Sequence, residues 1–355
     1  YTFSKYKKKK TEFMPREVFV ADSRFSAAQA AELTALTEAV FHTRDLVNEP
    51  LSFLTATQFS EEIKKMGKEA GFTVEVFNRK KIEALRMGGL LAVNKGSIDP
   101  PTFSVLEWKP ANAKNQNPLI LVGKGIVFDT GGLSLKPTAK SMDYMKCDMG
   151  GGAVVAATLY AIAKNQCPLH MIGLVPATDN RPDGNAYVPG DVITMYDGTT
   201  VEIKNTDAEG RLLLADALSY AKKFNPLLVI DVATLTGSAP LIGSTYGLIA
   251  MGNTPENMHK LKAAGEATYE RIIEVPLWEE FAKPLKSDIA DLNNLGAREG
   301  QTSIAGKFLE HFTAYPWMHL DIAGVAFYHE KNAYHPAGGT GFGTRLLYHF
   351  LKKFN

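Results

Sequence analysis

Between Leu119 and Val232, short uninterrupted apolar runs alternate with glycine-rich turns and windows of helical spacing. The runs Leu119–Val122 and Met171–Val175 have no polar residue and Leu227–Val232 has Asp231 alone, so strands built from them must be covered on both sides. Helical windows lie between them at Gly150–Lys164 and Leu212–Lys223. This rhythm predicts an α/β protein whose central sheet carries helices on both faces.

The first hundred residues mix the two periods. A helix is expected from Ser26 to about Val47, ending before Asn48-Glu49-Pro50, and a second from Ala56 to Ala70, stopped by Gly71. Phe72–Phe77 reads as a strand and Arg79–Arg86 as a short helix. Leu90–Val93 and Phe103–Trp108 read as strands, and residues 109–118 as a polar surface turn. Asp197-Gly198 between Val192–Tyr196 and Thr200–Ile203 is a hairpin signal.

Composition narrows the function classes. At 355 residues the chain holds roughly two domains or one large α/β domain. An aromatic share of 10% excludes low-complexity disorder. Lys+Arg 39 against Asp+Glu 38 gives no support to a nucleic-acid surface, which needs a basic excess. Two cysteines, Cys147 and Cys167, make no disulfide framework, so a reducing compartment is expected. No apolar stretch approaches the roughly 18 residues of a spanning helix. Lys7–Lys10 is followed by no apolar segment, so it reads as a solvated linker and not as a signal peptide. The chain opens on Tyr1 and not Met, which leads us to expect a processed protein or a piece of a longer one.

The block Leu121–Gly152 carries the densest chemistry. Lys124 sits between two glycines, Asp129 precedes Gly131-Gly132, Lys136 precedes Pro137, and Asp148 precedes Gly150-Gly151-Gly152. Taken singly, Asp129 reads as a turn residue, Asp148 as a helix cap, and the lysines as exposed. Together they place ionisable groups at strand ends, where open α/β sheets build sites. The second block, Asn205–Arg211, also has a structural reading, with Thr206 and Glu209 as a capping box. That reading leaves Gly210 and Arg211 unexplained in the first turn of a helix, where glycine costs roughly 1 kcal/mol and a cation opposes the dipole.

Asp129, Asp148, Asp207 and Glu209 brought together would need cations to neutralise them. Carboxylates with one amine suit Mg, Mn, Co or Zn. Histidine zinc motifs, a Walker loop, a dinucleotide loop and a G-x-S-x-G elbow are all missing from the sequence. His319 reads as a buried strand residue paired to Asp321.

NTDAEGRL at 205–212 and VGKGIVFDTGG at 122–132 resemble the two hallmark segments of the leucyl aminopeptidase family, the cytosolic two-metal aminopeptidases. The resemblance runs from about Asp45, in RDLVNEP, to the C-terminus, and takes in Ala233–Gly237 and His319–Gly324. It implies a central mixed sheet flanked by helices on both faces, in a phosphorylase/hydrolase-like three-layer architecture. It further implies that Lys124, Asp129, Asp148 and Glu209 hold the tighter metal, and that Asp129, Asp207 and Glu209 hold a more exchangeable one. Asp129 and Glu209 would bridge the two, and Lys124 would ligate as a neutral amine.

Lys136 matches the catalytic lysine, and Arg211 the arginine that holds a bicarbonate ion as general base. Met145, Thr234, Gly237 and the segment around Gly339 match the pocket for the substrate's first residue, and Leu235 a backbone contact to the peptide. Gly339 departs from the Met or Ala of many members, which predicts a roomier pocket.

The activity implied is removal of an N-terminal, leucine-like residue from peptides by a hydroxide shared between two Mn or Zn ions. A homo-hexamer in the cytoplasm is implied as well. Residues 26–355 would form the catalytic domain, and residues 1–25 the linker from a missing N-terminal one. The alternatives are a dipeptidase, such as one cleaving cysteinylglycine, and a non-enzymatic DNA-binding regulator, which the balanced charge disfavours.

Overall fold

A computed structural model describes residues 1–8, 18–22, 24–332 and 335–354; part of the lysine run, Lys9 and Lys10, lies outside them. The chain opens with helices α1 (Ala27–Asn48) and α2 (Ala56–Ala70), strand β1 (Thr73–Phe77) and helices α3 (Arg79–Ala84) and α4 (Gly88–Asn94). Strands β2 (Thr102–Trp108), β3 (Leu119–Gly123) and β4 (Gly125–Asp129) lead through a 3₁₀ turn, Met142–Cys147, to α5 (Gly150–Lys164) and β5 (Met171–Asn180). Next come β6 (Val192–Thr194), β7 (Thr200–Glu202), α6 (Gly210–Ala221), β8 (Leu228–Ala233), α7 (Ala239–Gly243) and β9 (Leu248–Gly252). Then follow α8 (Pro255–Thr268), β10 (Ile272–Glu274), β11 (Leu292–Asn293), α9 (Gln301–Glu310) and β12 (Trp317–Asp321). Strands β13 (Phe327–Tyr328) and β14 (Gly338–Gly339) precede the final helix α10 (Thr344–Lys352).

The main sheet runs β1-β2-β5-β3-β8-β12-β9-β10, with β4 alongside β5. Its centre, β5-β3-β8-β12, is parallel, while β2 and β9 pair antiparallel on either side. The period-two rule of a strand sorts the apolar runs between the faces. Leu119 and Leu121 join Phe59, Ile63, Val154, Leu261 and Leu347 under α1, α2, α5, α8 and α10. Ile120 and Val122 join Ile82, Leu90, Leu213 and Phe308 under α3, α4, α6 and α9. The mixed three-layer architecture is therefore as expected from the sequence.

Three local expectations change. Leu90–Val93 lies inside helix α4 and is not a strand. Its amide end is drawn into helix by a buried carboxylate, since Leu90 N donates to Asp216 Oδ2 at 2.9 Å. The Asp197-Gly198 hairpin forms, but with shorter strands. Its tip closes through Met195 N to Thr199 O at 2.8 Å, with Gly198 at φ +94°. His319 is buried as expected, yet its partner is Asp231 at 2.6 Å, because the parallel register sets Asp231 directly across from it on β8. Asp321 instead accepts from Leu235 N, Ala323 N and the amide and hydroxyl of Thr236.

Asp216 ties α6 to two neighbours, accepting from Leu90 N through one oxygen and from Tyr196 N through the other, both at 2.9 Å. Burial pushes its carboxyl up to about 7. A carboxyl with a raised folded-state value stabilises most below its unfolded value and loses that contribution as pH climbs through the folded one. The stability difference between the chain and Asp216→Asn should therefore shrink by about 1–4 kcal/mol from pH ~4 to pH ~7, read by denaturant unfolding across that range.

Candidate metal centre

Lys124 emerges directly after β3, its backbone locked by Lys124 N to Val232 O at 3.1 Å and Gly152 N to Lys124 O at 2.8 Å. Its ammonium lies 2.9 Å from Asp148 Oδ2 and 2.8 Å from Glu209 Oε1, and donates to Thr234 O at 2.9 Å. Asp129 ends β4, Asp148 stands just before α5, and Glu209 caps the start of α6. The positive ends of two helices thus face the acidic cluster. Lys136 reaches in from the 129–142 loop, 3.0 Å from Asp129 Oδ2 and 2.5 Å from Asp207 Oδ1. All five residues expected as ligands, and Lys136 with them, meet at the carboxyl ends of the parallel strands.

The cluster is nearly closed to water: Lys124, Asp129, Asp148 and Glu209 are buried. One carboxylate oxygen each from Asp129, Asp207 and Glu209 can be chosen so that all lie within 4.8 Å of one another. Burial pushes the carboxyls of Asp129, Asp148 and Asp207 above the ordinary aspartate value, and mutual repulsion adds to it. Burial would lower Lys124 and Lys136, but the surrounding carboxylates hold both well above the usual lysine value. Two ammonium groups against four carboxylates still leave a negative excess.

The hydrogen bonding is incomplete in the same place. Asp148 Oδ2 and Asp207 Oδ1 touch lysines without an aligned hydrogen bond, and Glu209 Oε2 has no partner. Orphaned buried oxygens around a cluster of excess negative charge are what a pair of hard or borderline divalent cations would satisfy. The donor set therefore fits Mg, Mn, Co or Zn.

Arg211, in the first turn of α6, is buried and forms neither ion pair nor hydrogen bond among the described residues; its guanidinium lies 5.8 Å from the Phe308 ring, within the electrostatic reach of Glu209 and Asp321. Burial pushes its guanidinium down to about 10. A buried guanidinium with no hydrogen-bonded carboxylate leaves its donors open to a small anion.

Asp129 is indeed a turn aspartate, with Oδ1 accepting from Gly131 N at 2.8 Å, but its other oxygen stays available to the cluster. Asp148 caps nothing and accepts from the Thr234 hydroxyl at 2.7 Å. Thr206 is no capping box. Its hydroxyl donates to Gly131 O at 2.6 Å and accepts from Ser134 N at 2.8 Å, stitching the two ligand loops together. Gly210 has a reason too: a Cβ there would stand 2.6 Å from Lys124 Cε and 2.7 Å from its Nζ.

The residues expected to line a pocket gather less tightly. Met145 lies on the 3₁₀ turn next to the cluster, Leu235 is half-buried, and Gly237 is exposed with open space around it. Gly339 is buried, and a Cβ on it would meet Val47 Cβ at 2.9 Å and Arg44 O at 3.0 Å. The missing side chain is therefore filled by α1, so the glycine opens no extra space for a substrate.

Residues that the motif reading passed over are Asn180, Tyr187 and Ser134. Asn180 donates to Asp129 Oδ1 at 2.8 Å and Thr206 O at 3.0 Å, and Tyr187 donates to Thr206 O at 2.7 Å. The available signal was a polar residue closing a strand that continues past Pro176, where the apolar run stops.

Residues 41–348 match the sequence profile of the cytosol aminopeptidase family, catalytic domain. A probable cytosol aminopeptidase of Chloroherpeton thalassium is 48% identical over 330 residues, 92% of this chain and 64% of that protein. One from Geobacter sp. (strain M21) is 41% identical over 360 residues, covering 99% of this chain and 73% of that protein. The chain thus spans under two thirds of the length of the Chloroherpeton relative. Among solved structures, the bottromycin maturation enzyme BotP in complex with Mn superposes with a TM-score of 0.93 at 38% identity, over 99% of this chain and 76% of that one.

Gly210→Ala should improve helix propensity by about 1 kcal/mol yet displace the Lys124 amine. Its Mn affinity, measured by chelator competition, is expected to fall at least tenfold while the thermal midpoint changes little.

Proposed function

This chain belongs to the cytosol aminopeptidase family, and on that footing we propose that it is a metal-dependent aminopeptidase releasing the N-terminal residue of peptides. The observation that carries the reading is the convergence of Lys124, Asp129, Asp148, Asp207 and Glu209 on one buried site with excess negative charge. Lys124, Asp129, Asp148 and Glu209 would hold one divalent cation, and Asp129, Asp207 and Glu209 the other, with Mn or Zn favoured. Bound there, the cations would supply an acidified water and polarise the scissile carbonyl.

The chain's own residues would do the rest. Lys136, at the rim of the cluster beside Asp129 and Asp207 and partly open to solvent, would carry positive charge to the oxyanion that forms on the scissile carbonyl. Arg211 would hold a small oxyanion, with bicarbonate as the candidate, that takes the proton from the attacking water and returns it to the leaving amine. The substrate's first side chain, hydrophobic and leucine-like, would lie against Met145, Thr234 and Gly237, with Leu235 meeting the peptide backbone; Gly339 would shape the wall only through α1. No helix among the described residues is long and apolar enough to cross a membrane. A homo-hexamer working in the cytoplasm completes the proposal.

Hydrolysis of leucyl-p-nitroanilide in the presence of Mn or Zn is the direct test. Chelation should abolish it, re-addition of metal should restore it, and Glu209→Gln should lower kcat/KM by roughly 10³-fold or more. Activity that survives chelation or Glu209→Gln would refute the reading. Arg211→Met is expected to lower kcat by about 10²-fold with KM little changed, a loss of proton transfer and not of binding.

A further inference from the structure

We propose that Asn180 is a positioning residue of the metal centre, whose side-chain amide holds the two ligand-bearing loops at a fixed separation. The identity of the bound group rests on the aminopeptidase reading; the geometry does not.

Asn180 closes β5 directly across from Asp129 on β4 and is fully buried. Its Nδ2 donates to Asp129 Oδ1 at 2.8 Å and to Thr206 O at 3.0 Å, so one amide grips the loop carrying Asp129 and the loop carrying Asp207 and Glu209. Its backbone carbonyl accepts from the amide and the hydroxyl of Thr130, both at 2.9 Å, which pins the residue itself. The amide can sit only one way round, because a flip would press Oδ1 against two oxygens.

With Asp129 Oδ1 committed to Asn180 and Gly131 N, the carboxylate cannot rotate, and Oδ2 is left for the cation side, where Lys136 Nζ now lies. Thr206 O is held from another direction by the Tyr187 hydroxyl at 2.7 Å.

The residue makes little sense as a device for stability alone. Asn180 Oδ1 is buried without a partner, a state that costs free energy and that an apolar side chain of similar volume would avoid. An aspartate of the same shape would set a carboxylate against Asp129. Only the amide supplies a donor to both loops, and ligand carboxylates depend on such outer hydrogen bonds for their orientation.

The test is Mn binding by the whole chain, by competition with a fluorescent chelator, for the unsubstituted protein, Asn180→Leu and Asn180→Ser. Both variants should bind Mn about 10–100-fold more weakly, with the Mn concentration for half-maximal hydrolysis raised by the same factor. The thermal midpoint of the metal-free leucine variant should match or exceed that of the unsubstituted chain, which a merely structural role would not allow. The serine variant carries the test if the leucine variant does not fold. Mn binding within threefold of the unsubstituted chain overturns the proposal. Failure of the unsubstituted chain to bind Mn or to cleave would instead sink the aminopeptidase reading, before any Asn180 variant is measured.

Discussion

Four carboxylates share one water-poor corner of this molecule, and their repulsion is the constraint around which the neighbouring parts are arranged. Asp129, Asp148 and the pair Asp207 and Glu209 come from three separate stretches of chain, each at the end of a strand or just before or at the start of a helix. Two lysines reach the cluster, one directly from a buried strand end and one from an overlying loop. Two helix N-termini add partial positive charge. Even glycine placement follows from this: the first turn of α6 gives up a side chain so that Lys124 can pass across it. Local helix stability is surrendered where the electrostatics require it.

Much of this was legible in the sequence because it rests on short-range rules. The apolar runs at Leu119, Met171 and Leu227 are strands, since runs buried on both faces have few other options. The charged residues flanked by glycine are neighbours in space because strand ends of a parallel sheet converge. Gly210 and Arg211, which broke helix rules, mark the site as expected of residues whose local cost has a reason elsewhere.

What was not legible depends on partners far away in the chain. Leu90–Val93 is apolar enough for a strand, and its helix is decided by Asp216, a residue that no local window contains. His319 has a carboxylate two positions away, yet pairs with one on another strand because register, not proximity in sequence, sets the contact. Gly339 suggested an enlarged pocket because its neighbour was unknown; the space belongs to α1. Asn180 went unnoticed because a single amide at the end of a strand carries no motif, although it grips two motifs at once.

The contact between α1 and the last residues of the chain also bears on how the molecule is made. Asn48 Oδ1 accepts from Gly339 N at 3.0 Å, and the Thr43 and Thr344 hydroxyls meet at 2.9 Å across a separation of 301 positions. On a ribosome, the part of α1 that meets β14 and α10 therefore stays uncovered until those elements, 291 and 301 positions later, have been synthesised. Such late closure leaves apolar surface open to holding chaperones throughout synthesis. It also defers completion of this domain until α10 has emerged, so a chain cut before α10 would release an unfinished fold.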